Sequence, residues 1–138
     1  MNLITDRTKA DVLLGNEKGR YGIADLNRVE GAVAELLVLA KPLDINIEQV
    51  KTDWSLPGAF STTEWPTVGQ MRRYLGNVCR LCRAVEVMAN LPASMEDLNW
   101  EGANQIERAL LAVETRINHI IEVFRYSGEF FAGEENGL

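Results

Sequence analysis

The chain has 138 residues, 14 Lys plus Arg against 20 Asp plus Glu, a formal net charge of −6 and 46% hydrophobic residues. A chain of this size can bury roughly 68–70% of its unfolded surface, so a single domain over residues 1–138 needs neither metal nor disulfide to hold a core. No apolar run approaches the roughly 20 residues that span a bilayer, the first residues lack the basic-then-apolar pattern of a secretory signal, and a pI near 4.8 argues against neutralising phosphate backbones as the main task. Intracellular synthesis is therefore expected, with neither a membrane nor a nucleic acid as partner.

In chain order, Thr8-Lys9-Ala10-Asp11 has capping-box spacing and predicts a short helix within 5–14, closed by the polar turn Gly15-Asn16-Glu17-Lys18-Gly19. From 24 to 41, Leu26, Val29, Val33, Leu36, Leu37 and Ala40 recur at three- and four-residue steps, an amphipathic helix that Pro42 stops. Leu43-Asp44-Ile45-Asn46-Ile47-Glu48 alternates with period two, which suits a short extended segment with one face covered and at most a short strand near Ile45–Val50. Residues 51–66 hold Trp54 and Trp65 with two prolines and several hydroxyls, an ordered loop whose aromatics need a surface to pack on.

Thr67 with Gln70 repeats the capping box, and Met71, Leu75, Val78, Cys82, Val85 and Ala89 mark one face of a helix over 68–90. After Leu91-Pro92-Ala93-Ser94, Asn99 is a good N-cap for a helix over 100–126. Its positions Ala103, Ile106, Leu110, Val113, Ile117, Ile120 and Phe124 step 3-4-3-4-3-4, with Ile121 widening the stripe. Gly128 is expected to break this helix and leave an aromatic, acidic tail over 127–138. The fold class is thus all-α: a bundle of three main helices plus a short N-terminal helix and turn over 1–23, with a Trp-bearing loop and a short extended segment. The helices differ in length, so part of the longest must project, exposing either Ile120, Ile121 and Phe124 or, at the other end, Trp100 and Ala103.

Constellations that could carry chemistry are few. Cys79-Arg80-Leu81-Cys82 is a C-x-x-C in mid-helix, with no βαβ pattern before it and no second ligand pair, so both cysteines read as small core residues. His119 is the single histidine, and with Glu122 it gives one reversed half of a di-iron helix motif, which reads as a helix flank. No metal, cofactor or catalytic residue is expected. Arg72, Arg73, Arg80 and Arg83 make the 68–90 helix the basic element, and within an acidic domain they read as a solvated or partner-facing flank that complements the acidic segment 99–138. Tyr126, Phe130 and Phe131 crowd aromatics near the chain end, where rings need covering by the same chain or another. The candidate interface residues are accordingly Tyr126, Phe130, Phe131, Trp54, Trp65, Arg72 and Arg73.

Several blocks carry a resemblance. Asn2-Leu3-Ile4-Thr5-Asp6-Arg7-Thr8, Ala10-Asp11-Val12, Gly19-Arg20-Tyr21, Asp25-Leu26-Asn27-Arg28-Val29, Lys51-Thr52-Asp53-Trp54, Pro66-Thr67, Gln70-Met71, Tyr74-Leu75, Ala103-Asn104, Ile106-Glu107, Tyr126-Ser127-Gly128-Glu129 and Ala132-Gly133-Glu134 together span nearly the whole chain. In them the sequence resembles small proteins encoded in tail and baseplate gene clusters of phages and prophages of Gram-positive, Clostridia-like bacteria. The resemblance implies a virion-associated structural or fibre-attachment role with other tail, baseplate or fibre proteins as partners and a possible homo-oligomer. It also implies residence in the host cytoplasm during assembly and then in the particle. The competing expectation is an intracellular helical adaptor or regulatory protein whose basic helix grips an acidic partner. A small hydrolase or metalloenzyme is disfavoured by the missing ligand and nucleophile sets.

Overall fold

A computed structural model describes residues 1–55 and 66–137, with side chains as far as Arg125. Its helices are α1 (Lys9–Leu14), α2 (Ile23–Leu39), α3 (Val68–Ala84) and α4 (Trp100–Gly137), with one 3₁₀ turn at Lys41–Leu43 and no strand among the described residues. Both capping boxes form: Thr8 and Asp11 open α1, and Thr67 and Gln70 open α3, each pair exchanging two hydrogen bonds with the other's backbone. Asn99 caps α4 by accepting from the Gly102 amide at 2.8 Å.

Helices α2, α3 and α4 pack on one another around Val29, Val33, Leu36, Tyr74, Val78, Leu81, Ile106, Leu110, Val113 and Ile117, all essentially buried. They run in the same direction. Tyr21, Ile23 and Leu26 at the start of α2 meet Pro66 and Met71 at the start of α3 and Leu98 just before α4. At the other end, the carbonyl of Val85, just past α3, accepts from Arg116 of α4 at 3.1 Å. Parallel helices must be joined by segments that travel back along the bundle, and extended chain fills the grooves between them. Residues 1–8 run back along α2 and α4, with Arg7 against Asp25 and Asn104 while Met1 lies against Glu35, further along α2. Residues 44–55 return between α2 and α3, and residues 85–99 return along α3 and α4.

Residues 45–50 are the expected extended segment and alternate in burial, with Ile45 and Ile47 half-buried and Asp44, Asn46 and Glu48 exposed; they form no strand, because helices and not strands flank them. Three expectations are corrected. Helix α3 stops at Ala84 and not near Asn90: Glu86 takes a left-handed φ of 59°, its amide donates to Arg83 O at 3.2 Å, and the Val87 amide donates to Cys82 O at 2.8 Å. This Schellman closure lacks its usual glycine, and Val85 stays buried outside the helix. The buried stripe of α3 includes Tyr74 and Leu81, while Met71 and Leu75 are only half-covered.

Finally, Gly128 does not break α4, which continues to Gly137. One glycine in a helix costs about 1 kcal/mol, and without a proline or a second stop signal behind it the helix carries through. The side chains of Tyr126, Phe130 and Phe131 lie outside the described set, as does all of Trp65 in the segment 56–65.

The burial pattern separates leucines of similar appearance. Leu110→Ala should cost about 2–5 kcal/mol in urea unfolding, whereas Leu13→Ala, at a residue 80% exposed on α1, should change stability by less than about 0.5 kcal/mol.

Candidate interaction surfaces and the buried polar framework

Extended backbone inside a helical protein leaves amides and carbonyls without ladder partners, and each one buried unsatisfied costs about 1–3 kcal/mol. An asparagine on each long helix answers this requirement. Asn27 of α2 accepts from the Trp54 amide and donates to the Trp54 carbonyl, both at 2.7 Å. Asn77 of α3 does the same for Glu48, at 3.0 and 3.1 Å. Asn104 of α4 does so for Arg7, at 3.0 Å in both directions. A carboxamide has one acceptor and one donor side by side, so it can stand in for a neighbouring strand at a single residue.

Charged side chains complete each junction. Arg7, 3% exposed, donates to Asp25 at 3.1 Å and Glu107 at 2.6 Å, and Arg28 donates to Asp25 at 2.5 Å and to Glu107 at 2.7 and 3.0 Å. Two cations and two carboxylates balance, and the Tyr21 ring lies 5.6 Å from the Arg7 guanidinium carbon. Glu107 also accepts from the Ile4 amide at 3.0 Å, and Arg108 donates to the Thr5 carbonyl at 2.8 Å. Across the bundle, buried Glu30 accepts from Arg73 at 2.5 Å, from the Lys51 amide at 3.2 Å and from the Trp54 indole. The hydroxyls of Tyr21 and Tyr74 share a hydrogen bond, and burial pushes both phenols well above their ordinary range.

Among the candidate interface residues, Trp54 is buried and clamped by Asn27 and Glu30, and Arg73 is tied to Glu30 and to the Gln49 carbonyl at 2.7 Å. Both are engaged within the chain. Arg80 pairs with Glu48 at 3.2 Å, so two of the four arginines on α3 meet carboxylates of α2 and the first return segment and not the acidic stretch beyond residue 99. Arg72 is exposed beside an open groove of about 560 Å³ between α3 and residues 91–96, lined by Met71, Leu75, Cys79, Leu91, Pro92 and Met95. Cys79 and Cys82 are free thiols, and burial pushes Cys82 up to about 11. His119 is exposed on the flank of α4. Among the described residues no three His, Cys, Asp or Glu side chains group as metal ligands, and no helix is long and apolar enough to cross a membrane.

The apolar end of α4 is the other exposed surface. Ile117 is fully buried and Ile120 and Ile121 are half-buried, but Val123 and Phe124 are 49% and 64% exposed. From there the helix continues to Gly137. The projecting end is thus the one that carries Ile120, Ile121 and Phe124, while Ala103 at the opposite end is buried.

Charge periodicity held a signal for the buried framework. Glu30 falls beside Val29 and Val33, and Glu107 beside Ile106 and Leu110, so each carboxylate interrupts an apolar stripe and needs a buried cation. The blocks that carry the resemblance contain Arg7, Tyr21, Asp25, Asn27, Arg28, Trp54, Tyr74, Asn104 and Glu107, which are members of this framework. No protein family matches the chain, and neither a curated protein nor a solved structure is similar to it.

Two outcomes follow from the buried groups. Arg7→Ala leaves Glu107 and Asp25 short of a cation and should destabilise by about 3–5 kcal/mol, while replacing exposed Lys9 by Ala should change little in the same urea titration. Tyr21, Tyr74 and Cys82 all titrate higher folded than unfolded, so above an unfolded thiol value of 9.0 the unfolded chain loses protons first. The contribution of these three groups should therefore be constant below about pH 9 and be lost as pH rises through the alkaline range, read as a urea midpoint that decreases above that pH.

Proposed function

We propose that this chain is a non-enzymatic structural or attachment protein of a phage tail, baseplate or phage-derived particle, acting by protein–protein assembly. One structural observation carries the assembly reading: α4 extends about 24 Å beyond Ile121, the last residue of its half-buried stripe, with Val123 and Phe124 exposed at the base of that extension. An isolated helical stretch of this length is marginal in water, so a helix that projects with apolar residues at its base is suited to a neighbouring subunit. The resemblance to tail and baseplate cluster proteins supplies the particle. The buried carboxylates and arginines are occupied in holding extended segments, which supports assembly over a reaction. On this reading the chain resides in the host cytoplasm during assembly and then in the particle, without nucleic-acid or membrane contacts of its own.

The adaptor reading has less support, because Arg73 and Arg80 of the basic helix already meet Glu30 and Glu48. Deleting residues 126–138 should leave the melting temperature of the isolated domain nearly unchanged and abolish incorporation into particles, scored by mass spectrometry of purified particles with cross-links naming the neighbours. A truncated chain that still enters particles at the wild-type level would overturn the attachment role of α4. Absence of the full-length chain from purified particles would overturn the particle reading.

A further inference from the structure

The segment at the start of the chain is gripped as residues 48–54 are, through its backbone, but it is joined to the fold differently. Residues 1–7 contribute one fully buried side chain, Arg7, together with half-buried Leu3 and Ile4. They are gripped through their backbone by Asn104, Glu107 and Arg108 of α4. What joins this arm to α2 is different in kind: from Thr8 to Arg20 no residue is buried. The α1 turn is closed by exposed contacts, Lys18 to Asp6 at 2.8 Å and Asn16 to Asp11 at 2.8 Å. It is also closed by Gly19, where an added Cβ would sit 2.1 Å from the Asp11 carbonyl oxygen. On the same connection Val12, Leu13 and Leu14 stand 44%, 80% and 78% exposed.

We propose that residues 1–8 are an exchangeable arm, and that the groove between α2 and α4 accepts the arm of a second copy of this chain. The groove reads an extended backbone with an arginine at one position, and the arm of another copy meets those requirements atom for atom. Opening the connection sacrifices only exposed contacts of the α1 turn. The two straightened connections would then lie side by side between the copies, where Val12, Leu13 and Leu14 of each can cover those of the other. Exchange of an identical element is a low-cost route to a symmetric dimer, and the groove cannot stand empty, because Glu107 and Asp25 would face Arg28 alone.

The Met1 amine lies 4.0 Å from Glu35 of α2, close enough for a zero-length carbodiimide cross-link that records which α2 an arm has reached. Full-length chains labelled with ¹⁴N and ¹⁵N are unfolded in urea, mixed in equal amounts, refolded together at high concentration, separated by size and cross-linked. About half of the Met1–Glu35 linked peptides in the dimer fraction should join one light and one heavy chain, as random pairing requires, and the monomer fraction should give same-isotope links only. Gly19→Ala, which forces the turn open without touching the groove, should raise the dimer fraction several-fold. Same-isotope links alone in every fraction would overturn the proposal, and this includes a dimer built on the projecting end of α4, which leaves each arm at home.

Discussion

Three helices that run in the same direction cannot be joined by short turns, and this constraint shapes everything else in the molecule. Each connection has to travel roughly the length of a 17-residue helix, about 26 Å, before the next helix can start. Chain that makes such a journey in contact with a core must have its amides and carbonyls satisfied. Neighbouring strands would do this in a sheet; here Asn27 and Asn77 do it for the first connection, one residue at a time, and Asn104 does the same for the extended segment before α2. Leading up to the Glu48 clamp the side chains alternate between core and solvent, with Ile45 and Ile47 half-buried while Asn46 and Glu48 are exposed.

Polar anchoring of this kind fixes register more strongly than it adds stability. A hydrophobic groove would accept an extended segment shifted by two residues almost as well, since the same face would still point inward. Moving Arg7 by two residues would leave Glu107, which is fully buried, without its closest cation, and an unpaired buried charge costs several kcal/mol. Glu30 plays the corresponding part for residues 48–54, because the Trp54 indole, the Lys51 amide and Arg73 converge on one carboxylate. The second return segment, 85–99, has no such asparagine clamp among its contacts and is held largely by Val87, Leu91, Met95 and Leu98. That segment borders the open groove along α3.

Helix positions were legible because their signals are local. Thr8 with Asp11, Thr67 with Gln70, and Asn99 each announce a helix start through groups three residues apart, and the stripes of α2 and α4 follow from periodicity. The end of α3 was not legible, since Glu86 takes a left-handed conformation that favours glycine while Val85 and Ala89 continue an apparent helical spacing. Gly128 misled in the opposite sense, as a stop signal that its neighbours override. The direction of the helices and the partners of Arg7, Glu30 and Glu107 depend on residues 18 to 103 positions apart. No window of sequence contains them, although a carboxylate within an apolar stripe marks where a cation must arrive.

The separation of Arg7 from Asn104 also sets an order of events. On a ribosome the arm is made well before the residues that grip it, because Asn104, Glu107 and Arg108 emerge some hundred residues later. Through most of synthesis Asp25 and Arg28 can find one another, as i and i+3 on α2, but the carboxylate that joins both arginines does not yet exist. Contacts of such long range must offset a large loop-closure entropy before they contribute, so they form late and slow the overall reaction. The arm is therefore among the last parts to settle, and a nascent chain spends that interval with a complete α2, an unanchored arm and an unfilled groove.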